Sequence, residues 1–185
     1  LKTPLTRINL MIEEINNESL KNSISQNISE MNIMLNHYLD FIKNEKNENL
    51  DETMANSLIQ EITNNYKNIS ILQNDSNKVL IRKNQVRRAL INILDNADKF
   101  AENVYLTSTI QNNIWLIIIE DDGPGTSLTE EQLVRPFVKG SEQLNQGTGL
   151  GLSIVQKLIK LNNGELKFEK STYGGLKVNI SFEIN

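Results

Sequence analysis

Apolar side chains at the start of the chain recur in alternating steps of four and three, and this heptad spacing ends after residue 42. The spacing predicts two helices, separated by the polar stretch Asn16–Ser19. Two antiparallel helices cannot bury both apolar stripes against each other, because each stripe is wider than one contact row. A second hairpin would complete a four-helix bundle, so we expect a homodimer through residues 1–46. The stripe residues are Leu1, Leu5, Ile8, Ile12, Ile15, Ile24, Ile28, Met31, Leu35, Tyr38 and Ile42.

The charged, apolar-free segment Lys43–Asn49 is a candidate linker, and the pattern changes beyond it. Short alternating runs, which are typical of strands, now intervene between amphipathic helical segments. We predict an α+β chain in which the hairpin precedes an α/β sandwich at 50–185, with helices on one face of a mixed sheet. Helices are predicted at 54–66, 84–100 and 149–161, and strands at 70–73, 78–82, 104–110, 114–120, 165–170 and 175–184.

Composition limits the possible partners and metal sites. The net charge of −4 gives no general affinity for nucleic acid or for anionic membranes, so no nucleic-acid partner is expected. The chain has no cysteine and one histidine, which excludes a disulfide framework, thiolate metal sites and a His-rich metal centre. His37 lies two residues after the stripe position Leu35, and we interpret it as an exposed bundle residue without a catalytic role.

Three separated segments carry side chains or backbone suited to a nucleotide. On the predicted helix 84–100, Asn92 and Asn96 are four residues apart and share a face, with Lys99 one turn further on. Mg²⁺ prefers a few protein oxygens together with phosphates, so an amide oxygen from this face is a plausible ligand, and Lys99 suits a phosphate. The alternative is the ordinary solvent face of a helix in an asparagine-rich protein.

The second segment, Glu120–Gly125, follows the strongly apolar strand at 114–119. Asp121 can accept a hydrogen bond from an adenine amino group, and Gly123 and Gly125 leave room for the ring. The alternative is a simple β-turn, because Asp-Gly and Pro-Gly are both strong turn signals.

The third segment, Gly147–Leu152, lies at the start of the predicted helix at 149–161. Backbone N–H groups at a helix N-terminus suit a phosphate, and the helix dipole helps. The segment is not a Walker loop, because no Gly-Lys-Ser/Thr follows, and its G-x-G-x-G spacing without a preceding strand is not a dinucleotide fingerprint. The alternative is a flexible glycine-rich loop.

In this order, and together with Arg135–Gly140, these segments resemble the catalytic core of bacterial sensor histidine kinases, most closely the EnvZ-type osmosensor group. The resemblance implies the ATP-binding fold shared with Hsp90, Mg²⁺ binding at Asn96, adenine binding at Asp121 and a mobile ATP lid at about 130–146. The positions that it implies for ATP binding are Asn96, Lys99, Phe100, Asp121, Gly123, Gly125, Phe137, Lys139, Gly140, Gly147, Thr148, Gly149, Leu150, Gly151 and Leu152.

The resemblance also extends to the N-terminus, where Leu1–Ile8 is similar to the end of the family's H box. It implies an acceptor histidine two residues before Leu1, outside this chain, and gives Thr3 the position credited with orienting water when the partner receiver domain is dephosphorylated. Asn92 stands where gyrase, Hsp90 and MutL-type ATPases place a water-activating glutamate. An amide has no basic form near neutral pH, so transfer to histidine is favoured over hydrolysis.

The implied protein is the cytoplasmic portion of an inner-membrane sensor, anchored upstream of this chain. It would phosphorylate a histidine with Mg-ATP, pass the phosphate to a response-regulator aspartate, and also act as a phosphatase of the regulator. Two alternatives stay open: a degenerate kinase that acts as a nucleotide-binding scaffold, and a protein-serine kinase of the anti-sigma type. The intact Asn96, Asp121 and glycine segment argue against the first, and the heptad hairpin argues against the second.

Overall fold

The computed structural model describes residues 8, 12, 17–29, 31, 48–140 and 148–184. The chain divides into two compact units, Leu1–Asn47 and Glu48–Asn185. Most of the predicted hairpin lies outside the described residues, as do His37 and the candidate site residues Thr3 and Gly147. The hairpin and its dimer therefore stay predictions. No helix in the described ranges combines the length and the apolar character needed to cross a membrane.

The first unit is helical at residues 18–29. The helix begins where the sequence predicts a polar interruption, because the Asn17 side-chain oxygen accepts a hydrogen bond from the Leu20 N–H at 3.1 Å, as an N-cap does. Ile12 and Ile28 come from the two predicted stripes and are buried together, with Ile24 packed against them. The two apolar stripes are thus in contact at these residues.

The second unit is the predicted α/β sandwich. Its strands are β1 (Asp51–Met54), β2 (Ile69–Asn74), β3 (Lys78–Ile81), β4 (Val104–Gln111), β5 (Ile114–Asp121), β6 (Gly164–Lys170) and β7 (Leu176–Glu183). Its helices are α1 (Ala55–Thr63), α2 (Lys83–Phe100), α3 (Glu130–Leu133) and α4 (Gly151–Leu161). The main sheet has the order β2-β4-β5-β7-β6; β2 and β4 are parallel and the other neighbours antiparallel, so the sheet is mixed.

The core lies on one face of the main sheet, because alternate residues of the central strands share that face. Leu106 pairs with Ile119, which in turn pairs with Val178, and all three are buried. The apolar stripes of α2 and α4 supply the other layer. Their buried apolar residues are Val86, Ala89, Leu90, Ile93, Leu94 and Ala97 on α2, and Ile154, Val155, Leu158 and Ile159 on α4.

Predicted and observed elements agree closely, although α1 ends at Thr63 rather than at residue 66. There are three further differences. The strand β1, which pairs with β3 in a separate two-stranded sheet, was not expected, and Met54 belongs to it rather than to α1. The short helix α3 lies in a stretch for which no helix was predicted. The helix α4 begins at Gly151 rather than Gly149, because Gly149 has a φ of +69°, which a right-handed helix does not allow.

Trp115 is the largest fully buried side chain, and its loss should destabilise the second unit strongly. Its Nε1 donates to the Ser108 hydroxyl at 3.0 Å, and its ring lies 5.5 Å from that of Phe182. We expect Trp115→Ala to lower the free energy of unfolding by about 3–5 kcal/mol in urea denaturation followed by circular dichroism. Leu116→Ala, on the opposite and half-exposed face, should cost about 1 kcal/mol. Equal losses would contradict this description of the core.

Candidate functional site

The contact between α2 and the start of α4 brings two of the predicted segments together. Asn92 and Asn96 are half-buried on α2, and Gly151 is the first residue of α4. A Cβ placed on Gly151 would lie 3.5 Å from the Asn92 side-chain oxygen and 3.6 Å from the Asn96 amide nitrogen. The Asn92 nitrogen donates to the Arg88 carbonyl at 2.8 Å, so its oxygen is the atom that faces the glycine. The absence of a side chain at position 151 leaves a narrow space between the helix terminus and the two amides.

The N-terminus of α4 has no side-chain cap, since Leu150 at the cap position provides none. The N–H groups of the first helical turn have no partner within a helix, and the helix dipole places partial positive charge there. The Thr148 hydroxyl accepts from the Leu150 N–H at 3.3 Å and shapes the turn that leads into the helix. This terminus therefore suits an anion, and it opens beside the Asn96 amide.

Gly149 lets the segment around Phe137 pack directly on the glycine segment. The Phe137 N–H donates to the Gly149 carbonyl at 2.8 Å, and a Cβ on Gly149 would lie 2.9 Å from the Phe137 Cα. Phe137 itself has a φ of +66°, and its side chain is 63% exposed. Lys139 and Gly140 follow in half-buried positions. Phe137, inside the predicted lid, thus contacts Gly149 just beyond it, while residues 141–147 between them are not described.

The Asp121 carboxylate ends β5, and the backbone holds one of its oxygens. Oδ1 accepts from the Gly123 N–H at 2.9 Å and from the Leu176 N–H at 3.2 Å, and Oδ2 has no partner in the described part of the chain. Burial is the main influence on the Asp121 pKa and raises it, while the two N–H groups act in the opposite direction. One oxygen is therefore fixed, and the other remains available for a ligand.

The Asp121 turn is docked on the C-terminus of α2. A Cβ on Gly123 would lie 2.8 Å from the Phe100 carbonyl oxygen, so only glycine fits there without a shift. Asp122 accepts from the backbone N–H groups of Glu102 and Asn103, both at 2.9 Å, and these hydrogen bonds lower its pKa. The other two predicted segments therefore both contact α2: the glycine segment at the Asn92–Asn96 face and the Asp121 turn at the helix end.

The turn between β6 and β7 also holds Asp121 in place, a contact that was not predicted from the sequence. The Gly175 N–H donates to the Asp121 carbonyl at 3.1 Å, and a Cβ on Gly175 would overlap the Asp121 carboxylate. Glu120 accepts from the Ser171 hydroxyl and the Thr172 N–H, both at 3.2 Å, which ties down the same turn. The Gly174-Gly175 pair, at the junction between the two last predicted strands, was the available signal.

A cavity of about 360 Å³ opens beside this turn. It shares Gly125, Gly175 and Leu176 with the surroundings of Asp121, whereas neither Asp121 nor Asn96 is among the described residues that line it. The remaining lining combines apolar and charged side chains from α3, the loop before it and the end of β6. These residues are Pro124, Thr126, Leu128, Glu130, Leu133, Phe168, Glu169, Lys170 and Gly174.

The remaining predicted residues flank this site. Lys99 is exposed, with its ammonium 5.3 Å from the centre of the Phe100 ring, so both lie at the end of α2 near the Asp121 turn. The described residues contain no cluster of three or more His, Asp or Glu side chains that could hold a metal by themselves. The donor set fits a magnesium ion that takes one amide oxygen from Asn96 and its other ligands from phosphates and water. Leu152 lies in the first turn of α4, half-buried.

Comparison with known proteins identifies the family. Residues 81–185 match the family described as "Histidine kinase-, DNA gyrase B-, and HSP90-like ATPase". The sensor histidine kinase CpxA of Escherichia coli is 31% identical over 97% of this chain and 44% of its own length. The sensor histidine kinase GtrS of Pseudomonas aeruginosa is 27% identical over 97% of this chain and 39% of its own length. The chain thus spans less than half the length of these relatives.

A solved structure agrees with this assignment. The histidine kinase domain of the Escherichia coli osmosensor EnvZ is 29% identical and superposes with a TM-score of 0.55, covering 76% of this chain and 91% of that domain. The resemblance expected from the motifs is therefore confirmed. The chain belongs to the family of histidine kinase-, DNA gyrase B- and HSP90-like ATPases, and it contains the ATP-binding catalytic core of a sensor histidine kinase.

Proposed function

We propose that this chain binds Mg-ATP between α2 and the glycine segment, and that it uses the γ-phosphate to phosphorylate a histidine that lies before Leu1. One observation carries the proposal. The uncapped start of α4 and the Asp121 turn, which are far apart in the sequence, both lie against α2, the first beside the Asn96 amide and the second at Phe100. An amide for a cation, N–H groups for phosphates and a carboxylate for a base are the three contacts that a magnesium nucleotide needs.

Each group has a separate role in this proposal. The free Oδ2 of Asp121 accepts from the adenine amino group, and Gly123 and Gly125 leave space for the ring. The N–H groups at Gly151 and Leu152 bind phosphate oxygens, with Thr148, Gly149 and Leu150 shaping that turn and Gly147 continuing it outside the described residues. Lys99 and Lys139 add positive charge, and Phe100, Phe137 and Gly140 border the nucleotide.

The chemistry needs positioning and charge neutralisation more than acid–base groups. When bound at the Asn96 oxygen, magnesium would neutralise charge on the phosphates. A neutral imidazole is already a competent nucleophile, so no side chain has to activate it. Asn92 is consistent with transfer to histidine rather than hydrolysis, because its amide cannot act as a base towards water. Its nitrogen already donates to the Arg88 carbonyl at 2.8 Å.

We extend this proposal to the activity of the whole protein. Residues 1–46 would form a homodimer, and the phosphate would pass from the histidine to the aspartate of a response-regulator receiver domain. Thr3 would orient water when that regulator is dephosphorylated. The membrane anchor of the sensor would lie upstream of this chain. The relatives' assignment as sensor histidine kinases supports these roles at the family level.

Asp121→Asn should weaken the binding of adenine nucleotides. The amide oxygen of the new side chain would accept the Gly123 and Leu176 N–H groups, which turns its NH₂ group towards the adenine amino group, donor against donor. We expect at least about a tenfold loss of Mg-ATP affinity in isothermal titration calorimetry, the size of a lost charged hydrogen bond. Asp75→Asn is the control. Asp75 follows the edge strand β2 and also accepts a backbone N–H, from Ile110 at 2.8 Å, but Ile110 lies at the end of β4 opposite to the residue that pairs with Asp121. Unchanged affinity in Asp121→Asn would overturn the proposed site.

Binding should also depend on pH through Asp121. Burial raises the pKa of this carboxyl, so it protonates at a higher pH than an exposed aspartate and then presents a donor to the base. We expect affinity to fall as the pH is lowered, starting at a higher pH than an exposed aspartate would require, and this component to disappear in Asp121→Asn. The raised pKa also affects folding: its contribution to the stability of the folded chain is present at low pH and is lost as the pH rises through the pKa of the folded state. Protonation of Asp121 therefore does not unfold the chain. Weaker binding at low pH with an unchanged folded fraction would come from the contact between Asp121 and the ligand.

The phosphorylated residue distinguishes the proposed reaction from its alternatives. A chain extended upstream by about a dozen residues, incubated with γ-labelled ATP, should acquire phosphate that is stable in base and labile in acid, as expected for phosphohistidine. Asn96→Ala should remove the label because it removes the magnesium ligand. Phosphate stable in acid and labile in base would instead support a protein-serine kinase. ATP binding without any label would support a nucleotide-binding scaffold.

A further inference from the structure

The N-terminus of α2 is capped by a residue that is distant in the sequence. The cap position of the helix, Arg82, provides no side-chain cap, and the first turn contains no acidic residue. Instead, the Glu48 carboxylate accepts from the Asn84 N–H at 2.6 Å and from the Gln85 N–H at 3.1 Å. These bonds satisfy two of the donors that a helix start leaves without partners, and they place negative charge at the positive end of the dipole.

Arg82 connects this cap to the C-terminus of α4. Its Nε donates to the Glu48 carbonyl at 3.0 Å, and its Nη1 donates to the Leu161 carbonyl, at the C-terminus of α4, at 2.7 Å. Asn162 closes the arrangement: its oxygen accepts from the Arg82 N–H at 2.9 Å, and its nitrogen donates to the Gln85 side chain at 3.0 Å. We call Glu48, Arg82, Gln85, Leu161 and Asn162 the helix-end clamp.

The clamp and the nucleotide site lie at opposite ends of the same helix pair. The clamp joins the start of α2 to the end of α4, whereas the start of α4 at Gly151 meets Asn92 and Asn96 further along α2. The helix α4 has 11 residues and no proline, so it spans about 16 Å and transmits an axial shift along its length. If α4 moves as a rigid rod, a displacement of Leu161 relative to α2 would change the separation between the Asn96 amide and the first turn of α4.

Glu48 also has a particular place in the chain. It is the first residue of the second compact unit and lies within the candidate linker Lys43–Asn49, so the backbone enters the ATP-binding unit at the cap itself. Its side chain and its carbonyl are both used in the clamp. A change in the direction of the entering chain at this residue would act on both helices at once.

We propose that Glu48 is a positioning residue for nucleotide binding, which acts through the helix-end clamp to hold Asn96 and the start of α4 at the separation that Mg-ATP requires. The inference rests on the proposed function and adds to it a point at which the entering chain controls the site. A cap with a merely structural role would change the free energy of unfolding and leave the affinity of the folded protein unchanged.

The test compares two identical substitutions in the complete chain. Glu48→Gln keeps the size of the side chain and removes its charge. Glu52→Gln makes the same change four residues later, where the carboxylate forms an exposed ion pair with Lys78 at 2.8 Å. We expect Glu48→Gln to weaken Mg-ATP affinity by about threefold to tenfold, as capping energies of this size imply. Glu52→Gln should change it by less than about twofold. Both titrations are made at a temperature at which the variants are fully folded.

Hydrogen exchange without nucleotide provides the second measurement. In Glu48→Gln, the amides of Gly151, Leu152 and Ser153 should exchange faster, although they lie at the far end of α4, while those of β5 keep the native rate. A uniform increase across the unit, or unchanged affinity, would overturn the inference. Should Glu48→Gln fail to fold, Arg82→Lys replaces it: the charge is kept, the bridge to the Leu161 carbonyl is lost, and unchanged affinity would again overturn the inference.

The two proposals fail in different ways. If the native chain has no affinity for Mg-ATP, the proposed function is wrong and the role of Glu48 falls with it. If the native chain binds and both glutamate variants bind equally well, the proposed function stands and only the role of Glu48 is wrong.

Discussion

The packing of α2 against α4 is the contact on which the candidate site depends. The two helices bury their apolar stripes over one face of the main sheet, and this brings the Asn92–Asn96 face next to Gly151. The approach is close because position 151 has no side chain. The helix-end clamp around Glu48 holds the same pair at its other end. A nucleotide bound between them would therefore respond to any change in the spacing of two helices, as well as to the side chains that it touches.

Asp121 shows how the fold prepares a polar group for a ligand. Burial alone would favour the neutral carboxyl, but two backbone N–H groups stabilise the charged form through Oδ1 and leave Oδ2 available. These N–H groups come from its own turn and from the start of β7. Glu120 holds the turn before β7 by accepting a hydrogen bond from Ser171. Tyr173 in this turn stacks on Tyr105, with ring centroids 3.7 Å apart. Asp121, the proposed base-binding residue, is thus held by residues that are distant in the sequence.

Most elements of the second unit were predictable, because each follows from a local pattern. Asn112 and Asn113 tolerate the positive φ values of 52° and 59° that the β4–β5 hairpin needs. The helix α3 was missed although its signal was present: Thr129 and Gln132 form a capping box, which is readable from their spacing. The strand β1 had no such signal. Its residues are largely exposed and do not alternate, and it forms because β3 offers a partner.

The sequence by itself determined the order of helices and strands, the buried face of each, and three segments suited to amide, carboxylate and phosphate contacts. These features depend on residues that are neighbours along the chain, so periodicity and turn chemistry reveal them. Tertiary structure alone decided that the glycine segment and the Asp121 turn both lie against α2, that Gly175 and Leu176 hold Asp121, and that Glu48 caps α2 at Asn84, 36 residues away. Such contacts depend on how strands and helices pack across the whole unit, and no local pattern in the chain records that geometry.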